Sequence, residues 1–120
     1  MNRIFLTGNL TKEPELKYTA TGKAVCTFSI AVNRLFGKET DFFTVVAWNN
    51  LAENLCKYQG KGSKVLVEGE LQNRNYETST GDKRQITEVI ASKIEFLSKK
   101  NAMDQNVQTF ENIQDGDLPF

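Results

Sequence analysis

Residues 41–63 read DFFTVVAWNNLAENLCKYQGKGS. From Phe42 to Trp48 every residue is aromatic, β-branched or alanine, the composition of a largely buried strand. Asn49-Asn50 then offers a helix N-cap, with Glu53 three residues after Asn50, where a capping-box carboxylate reaches back. Leu51, Leu55 and Tyr58, with Ala52 and Cys56 beside them, recur at three and four residues and make one face of a short helix apolar. Gly60 and Gly62 stop it, and Lys57 and Lys61 complement its C-terminal dipole. A strand, a capped helix of about ten residues and a return strand predict a small barrel with one plugging helix.

The flanks extend that reading. Residues 3–8 form a first strand, residues 17–20 pair briefly, and Thr21-Gly22-Lys23 turns the chain. Residues 25–34 alternate, with Cys26, Phe28, Ile30 and Val32 inward and Thr27, Ser29, Ala31 and Asn33 outward. Residues 35–41 make a loop that sets Phe36 between Arg34 and Lys38. After the helix, residues 64–74 alternate again, with Val65, Val67, Gly69 and Leu71 inward; Gly69 in mid-strand marks a bulge or bend. Residues 75–83 are a hairpin arm with Thr80-Gly81-Asp82 at its tip, and residues 85–97 the last strand. The class is mainly β: five main strands, with the short helix between the third and fourth. That order is the OB-fold, a Greek-key barrel that hosts oligonucleotide sites.

The domain so defined spans residues 1–98. Residues 99–114, rich in Asn, Gln and Asp, read as a disordered linker. Residues 115–120 form an acidic tip that ends in apolar Leu118-Pro119-Phe120. Charge follows the same division. Residues 1–100 hold all 15 basic side chains and 11 acidic ones, a net of +4, whereas residues 101–120 carry Asp104, Glu111, Asp115 and Asp117 and no base. A basic body predicts a polyanionic partner and an acidic tail a basic protein partner. No apolar run approaches the roughly eighteen residues of a membrane span, and no signal-peptide pattern appears, so a soluble cytoplasmic protein is expected. The chain has no histidine, which removes His-based triads, His metal sites and imidazole acid–base chemistry. No catalytic, cofactor or metal site is expected. Cys26 and Cys56 both lie in apolar settings and read as buried thiols rather than a disulfide.

A single-strand binder needs bases to follow phosphates and bare aromatic faces on which nucleobases stack. Phe36, Phe42, Trp48 and Tyr76 are the candidate rings, and Arg3, Arg34, Lys61, Arg74, Lys83 and Arg84 are interleaved with them. Phe42 and Trp48 lie an even number of residues apart on one strand and so share a face, although that strand's composition places them in the core. Phe36 and Tyr76 fall in polar segments and are expected to be exposed; Phe5 and Tyr18 are expected to pack.

The segments IFLTGNLTKEPELKY, TFSIAVNR, TDFFTVVAWNNLAENL, YQGKGSKVLVEGELQNRNYE and GDKRQITEVIASKIEFL resemble, in order and over essentially the whole chain, the bacterial single-stranded-DNA-binding protein family. The resemblance implies an OB-fold, a homotetramer without catalytic activity, and single strands wrapped over the barrel. It assigns stacking to Phe36, Phe42, Trp48 and Tyr76, overruling the core assignment of two of them, and phosphate contacts to Arg3, Arg34, Lys61, Arg74 and Arg84. The family's acidic tip docks replication and repair enzymes; here it falls on Asp115, Asp117, Leu118, Pro119 and Phe120, with Gly116 where another acidic residue is common. A shorter loop at residues 35–41 and a short tail fit a compact version, of the kind carried by a phage or plasmid or kept as an accessory copy. The competing readings are an RNA-binding or primosome-type OB module, an adaptor whose barrel only displays the tail, and a metal-dependent hydrolase on a small barrel. The last would need clustered carboxylates, and the acidic residues here are dispersed.

Overall fold

A computed structural model describes residues 1–98. The linker and the tip at residues 115–120 lie outside the described residues. Strand β3 (Ala24–Asn33) shows how alternation builds the wall: Ala24, Cys26, Phe28 and Ile30 are buried, and the residues between them are half-covered or exposed. Around it stand β1 (Ile4–Leu10), the short β2 (Lys17–Tyr18), β4 (Thr40–Trp48), β5 (Lys64–Glu77) and β6 (Lys83–Phe96), with helix α1 (Asn49–Tyr58) between β4 and β5.

The strands form one sheet in the order β1-β5-β6-β4-β3-β2, and β1 also pairs with β3. Closure comes from Asn9 opposite Ala31 and Leu10 opposite Ile30. Only β4 and β6 run parallel, through Val45–Val89 and Val46–Ile90. Five strands therefore make a ring, with β2 appended to β3, and the expected mainly β OB-fold barrel is present. Ala52 and Leu55 of α1 are fully buried in the same core as Cys26, Ile30, Val45, Ala47, Val65, Val67 and Val89. Each large aliphatic side chain so covered contributes about 1.5–3 kcal/mol.

Three details depart from the expectations. The capping box does not form: α1 has no side-chain cap, its N-cap position is Trp48, and Asn49 takes a φ of 58°. Strand β4 runs into the helix with no intervening loop, so the chain must reverse at one residue. Asn is among the few side chains that tolerate the left-handed region, and Asn49 turns the chain instead of capping it. Leu71 is exposed rather than inward. The β5–β6 register shifts at Glu68/Gly69 as the mid-strand glycine suggested; β6 stays in the wall through its pairs with β4 at Val89 and Ile90, and from Asn73 and Thr87 outward the two strands run on as a solvated arm. A Cβ on Gly69 would stand 2.2 Å from the Ile90 carbonyl oxygen, so glycine is what allows the bulge. Finally, Phe5 and Tyr18, expected to pack, are both exposed.

Candidate nucleic-acid interface

Strand β4 is apolar at almost every position, and burial separates its two faces. Val45 and Ala47 belong to the core, with Phe43 packed against it. Phe42 and Trp48 sit on the opposite face and retain 66% and 38% of their accessible surface, which settles them as surface rings. The pairings Ala31–Phe42, Ser29–Thr44, Thr27–Val46 and Val25–Trp48 pave the ground between the two rings with small or β-branched residues. Six residues of strand separate the rings by about 20 Å. Trp48 is fixed from both sides, as the last residue of β4 and the N-cap position of α1.

At the far end of β4, the β3–β4 loop displays Phe36, 85% exposed, beside exposed Leu35. Arg34 fastens its base. The guanidinium donates from Nε to Asp41 Oδ2 at 2.9 Å and from Nη2 to Asp41 Oδ1 at 3.1 Å. Its Nη1 donates to Glu39, and its main-chain N–H donates to the Glu39 carbonyl at 3.0 Å. The hydrogen bond with Arg34 holds the Asp41 carboxyl below its usual range, and the same bond raises Arg34.

The arm carries the fourth ring. Tyr76 is 45% exposed, and the Arg74 guanidinium lies 5.8 Å from its centroid. Arg74 also donates from Nε and Nη2 to the two Glu88 oxygens at 3.2 and 3.1 Å. Glu88 is itself buried, and the fork on it raises Arg74's pKa. Beside Tyr76, an open groove of about 630 Å³ is lined by Asn75, Tyr76, Glu77, Lys83, Arg84 and Gln85. Tyr76 faces Arg84 across the β5–β6 ladder, and Arg84 lies 3.9 Å from Asp82.

The candidates therefore gather at two places: Arg34, Phe36 and Phe42 at one end of β4, and Arg74, Tyr76 and Arg84 on the arm. Trp48 marks the other end of β4. Arg3 and Lys61 lie apart. Arg3 precedes β1 and pairs with Glu68, while Lys61 is exposed on the turn after α1, its N–H donating to Glu13 Oε1 at 2.8 Å. All four arginines of the chain thus already hold a carboxylate. The carboxylates Glu39, Asp41, Glu68 and Glu88 were not singled out in the sequence. For Glu88 no local pattern could have done so, since its partner is 14 residues away.

Residues 1–97 match the model of the single-strand binding protein family. A "Single-stranded DNA-binding protein" of Clostridium tetani is 42% identical over 125 residues, covering 100% of this chain and 86% of the relative. One of Bacillus cereus is 43% identical over 121 residues, covering 97% and 71%. "Single-stranded DNA-binding protein 3" of Streptococcus agalactiae is 40% identical over 137 residues, covering 100% and 99%. With a five-stranded OB barrel, exposed rings along one strand and a family match over nearly the whole described region, this chain belongs to the single-strand binding protein family.

Proposed function

We propose that the protein binds single-stranded DNA with little sequence preference and makes or breaks no bond in doing so. The observation that carries this reading is the pair Phe42 and Trp48, two exposed rings on the outer face of a strand whose inner face is core. Stacking on such rings is worth about 1–3 kcal/mol per base and tolerates any base, because each has a π-face. Phe36 and Tyr76 extend the platform. Arg3, Arg34, Lys61, Arg74 and Arg84 supply phosphate contacts. Because the unpaired form alone exposes its base faces, binding would melt hairpins by mass action.

In this reading the protein works in the cytoplasm as a homotetramer, in replication, recombination and repair. Its tip, Asp115, Asp117, Leu118, Pro119 and Phe120, recruits partner enzymes: the aspartates steer the approach, Phe120 fills an apolar pocket, and the terminal carboxylate meets Arg or Lys. Among the described residues no helix is long and apolar enough to cross a membrane, which accords with that setting. Titration of Trp48 fluorescence with oligo-dT at two salt concentrations, beside a duplex control, tests the central claim. Quenching by the single strand alone supports it. An unchanged signal together with no binding by an independent assay refutes it.

A further inference from the structure

The DNA face leaves unused a pair of sulfurs directly behind it. Cys26 on β3 and Cys56 on α1 are unbridged, with Sγ atoms 3.6 Å apart. We propose that Cys26 and Cys56 form a modification site, a dithiol that a hydroperoxide converts to an intramolecular disulfide. A disulfide needs its sulfurs about 2.05 Å apart, so the pair must close by about 1.5 Å. Cys56 lies in the last turn of α1 and is only half-buried, so rotation of its side chain to another rotamer can supply that.

The two thiols differ in a way that orders the steps. Cys26 is 1% exposed, and burial, helped by the contact with Cys56, pushes its pKa up to about 12. Cys56 is half-buried on the helix and is the sulfur a small oxidant meets first. Its thiolate attacks one peroxide oxygen, the O–O bond breaks, and a sulfenic acid forms as the first water leaves. The Cys26 thiol then attacks the Cys56 sulfur; its proton passes to the departing hydroxide, which leaves as the second water, and the S–S bond forms. Two thiols give up two electrons and two protons, and hydrogen peroxide becomes two waters.

The bridge would enclose residues 27–55, the stretch holding Arg34, Phe36, Phe42 and Trp48. Cys26 pairs with Ala47, next to the Val25–Trp48 pair, but its side chain is on the core side of the sheet. The link therefore fastens α1 to β3 behind the rings without covering them. Cross-linking a loop of this length removes conformational freedom from the unfolded chain, and the melting temperature should rise by roughly 5–15 °C.

The test treats the full chain with hydrogen peroxide, blocks remaining thiols, and maps peptides without reduction. The expected result is a Cys26–Cys56 linked peptide, two hydrogens lighter than its parts and cleaved by dithiothreitol, together with the higher melting temperature. Oxygen acids on Cys56 with Cys26 still open to alkylation, or a covalent dimer through Cys56, would overturn the proposal. So would an equal rise in melting temperature in peroxide-treated Cys56→Ser, a half-buried change the fold should accept.

Discussion

The guanidinium of Arg34 grips the carboxylate of Asp41 through two hydrogen bonds of 2.9 and 3.1 Å, one residue before the exposed ring of Phe42. In the single-strand-binding reading, a phosphate arriving at this end of β4 meets an arginine that is already engaged.

Asp41→Asn removes the competing charge. We expect it to tighten binding to oligo-dT by about 3- to 10-fold at low salt and to steepen the salt dependence by up to about one counterion. Titrations at several salt concentrations would show this. Weaker binding would mean instead that the grip serves to hold the Phe36 loop in place.

The same pair sets an acid response. Asp41's pKa is lowered by its hydrogen bond to Arg34, so the folded state binds this proton less readily than the unfolded chain. The contribution is complete above the ordinary aspartate pKa and disappears as pH falls through the lower folded value. Both partners are solvent-facing, so the effect is small and screened. Melting curves from pH 6 downward should show a slightly shallower acid decline for Asp41→Asn than for the parent protein.

Rings and core should separate cleanly in mutants. Phe42→Ala and Trp48→Ala are each expected to weaken oligo-dT binding by about 5- to 100-fold, read with a labelled oligonucleotide. Phe42→Ala should leave the melting temperature nearly unchanged, since most of that ring is already in water.

Arg74, proposed above as a phosphate contact, also holds the buried carboxylate of Glu88. Arg74→Ala strands a buried carboxylate, and we expect the melting temperature to fall by roughly 5–10 °C. The double variant Arg74→Ala/Glu88→Gln should recover more than half of that loss, because the orphaned charge is gone. No recovery would show that Arg74's packing, not its charge, supports the arm.

Gly69→Ala forces a Cβ into the main chain of β6. A loss of about 1–3 kcal/mol in urea unfolding is expected, with the bulge disturbed first.

Much of the fold was legible because alternation is a local signal. Residues 25–34 and 64–69 declared their inner faces, and a lone glycine in mid-strand marked the bulge. The failures have equally local causes. Phe42 and Trp48 read as core because Phe43, Val45 and Ala47 between them are just as apolar, so the strand has no polar face to betray which side meets water. Only the family resemblance corrected that. Leu71 read as core because the alternation continues through it, whereas at this level of the ladder only its partner Val89 is buried. The cap at Asn50 failed because sequence cannot show that β4 enters α1 without a loop. The ion pairs were hidden for a different reason: Arg74–Glu88 and Arg3–Glu68 depend on inter-strand register, which no single strand contains.

The engaged arginines also set what the surface rejects. A groove of bare arginines would draw any polyanion at long range, duplex and single strand alike. Here each arginine is already paired with a carboxylate, so a visitor that offers only phosphates gains little from the arginines themselves. In the proposed single-strand-binding reading, a polymer that also presents uncovered ring faces would gain stacking at Phe42 and Trp48 and could then displace or share the carboxylates. Discrimination would then come from the attraction that the duplex is denied.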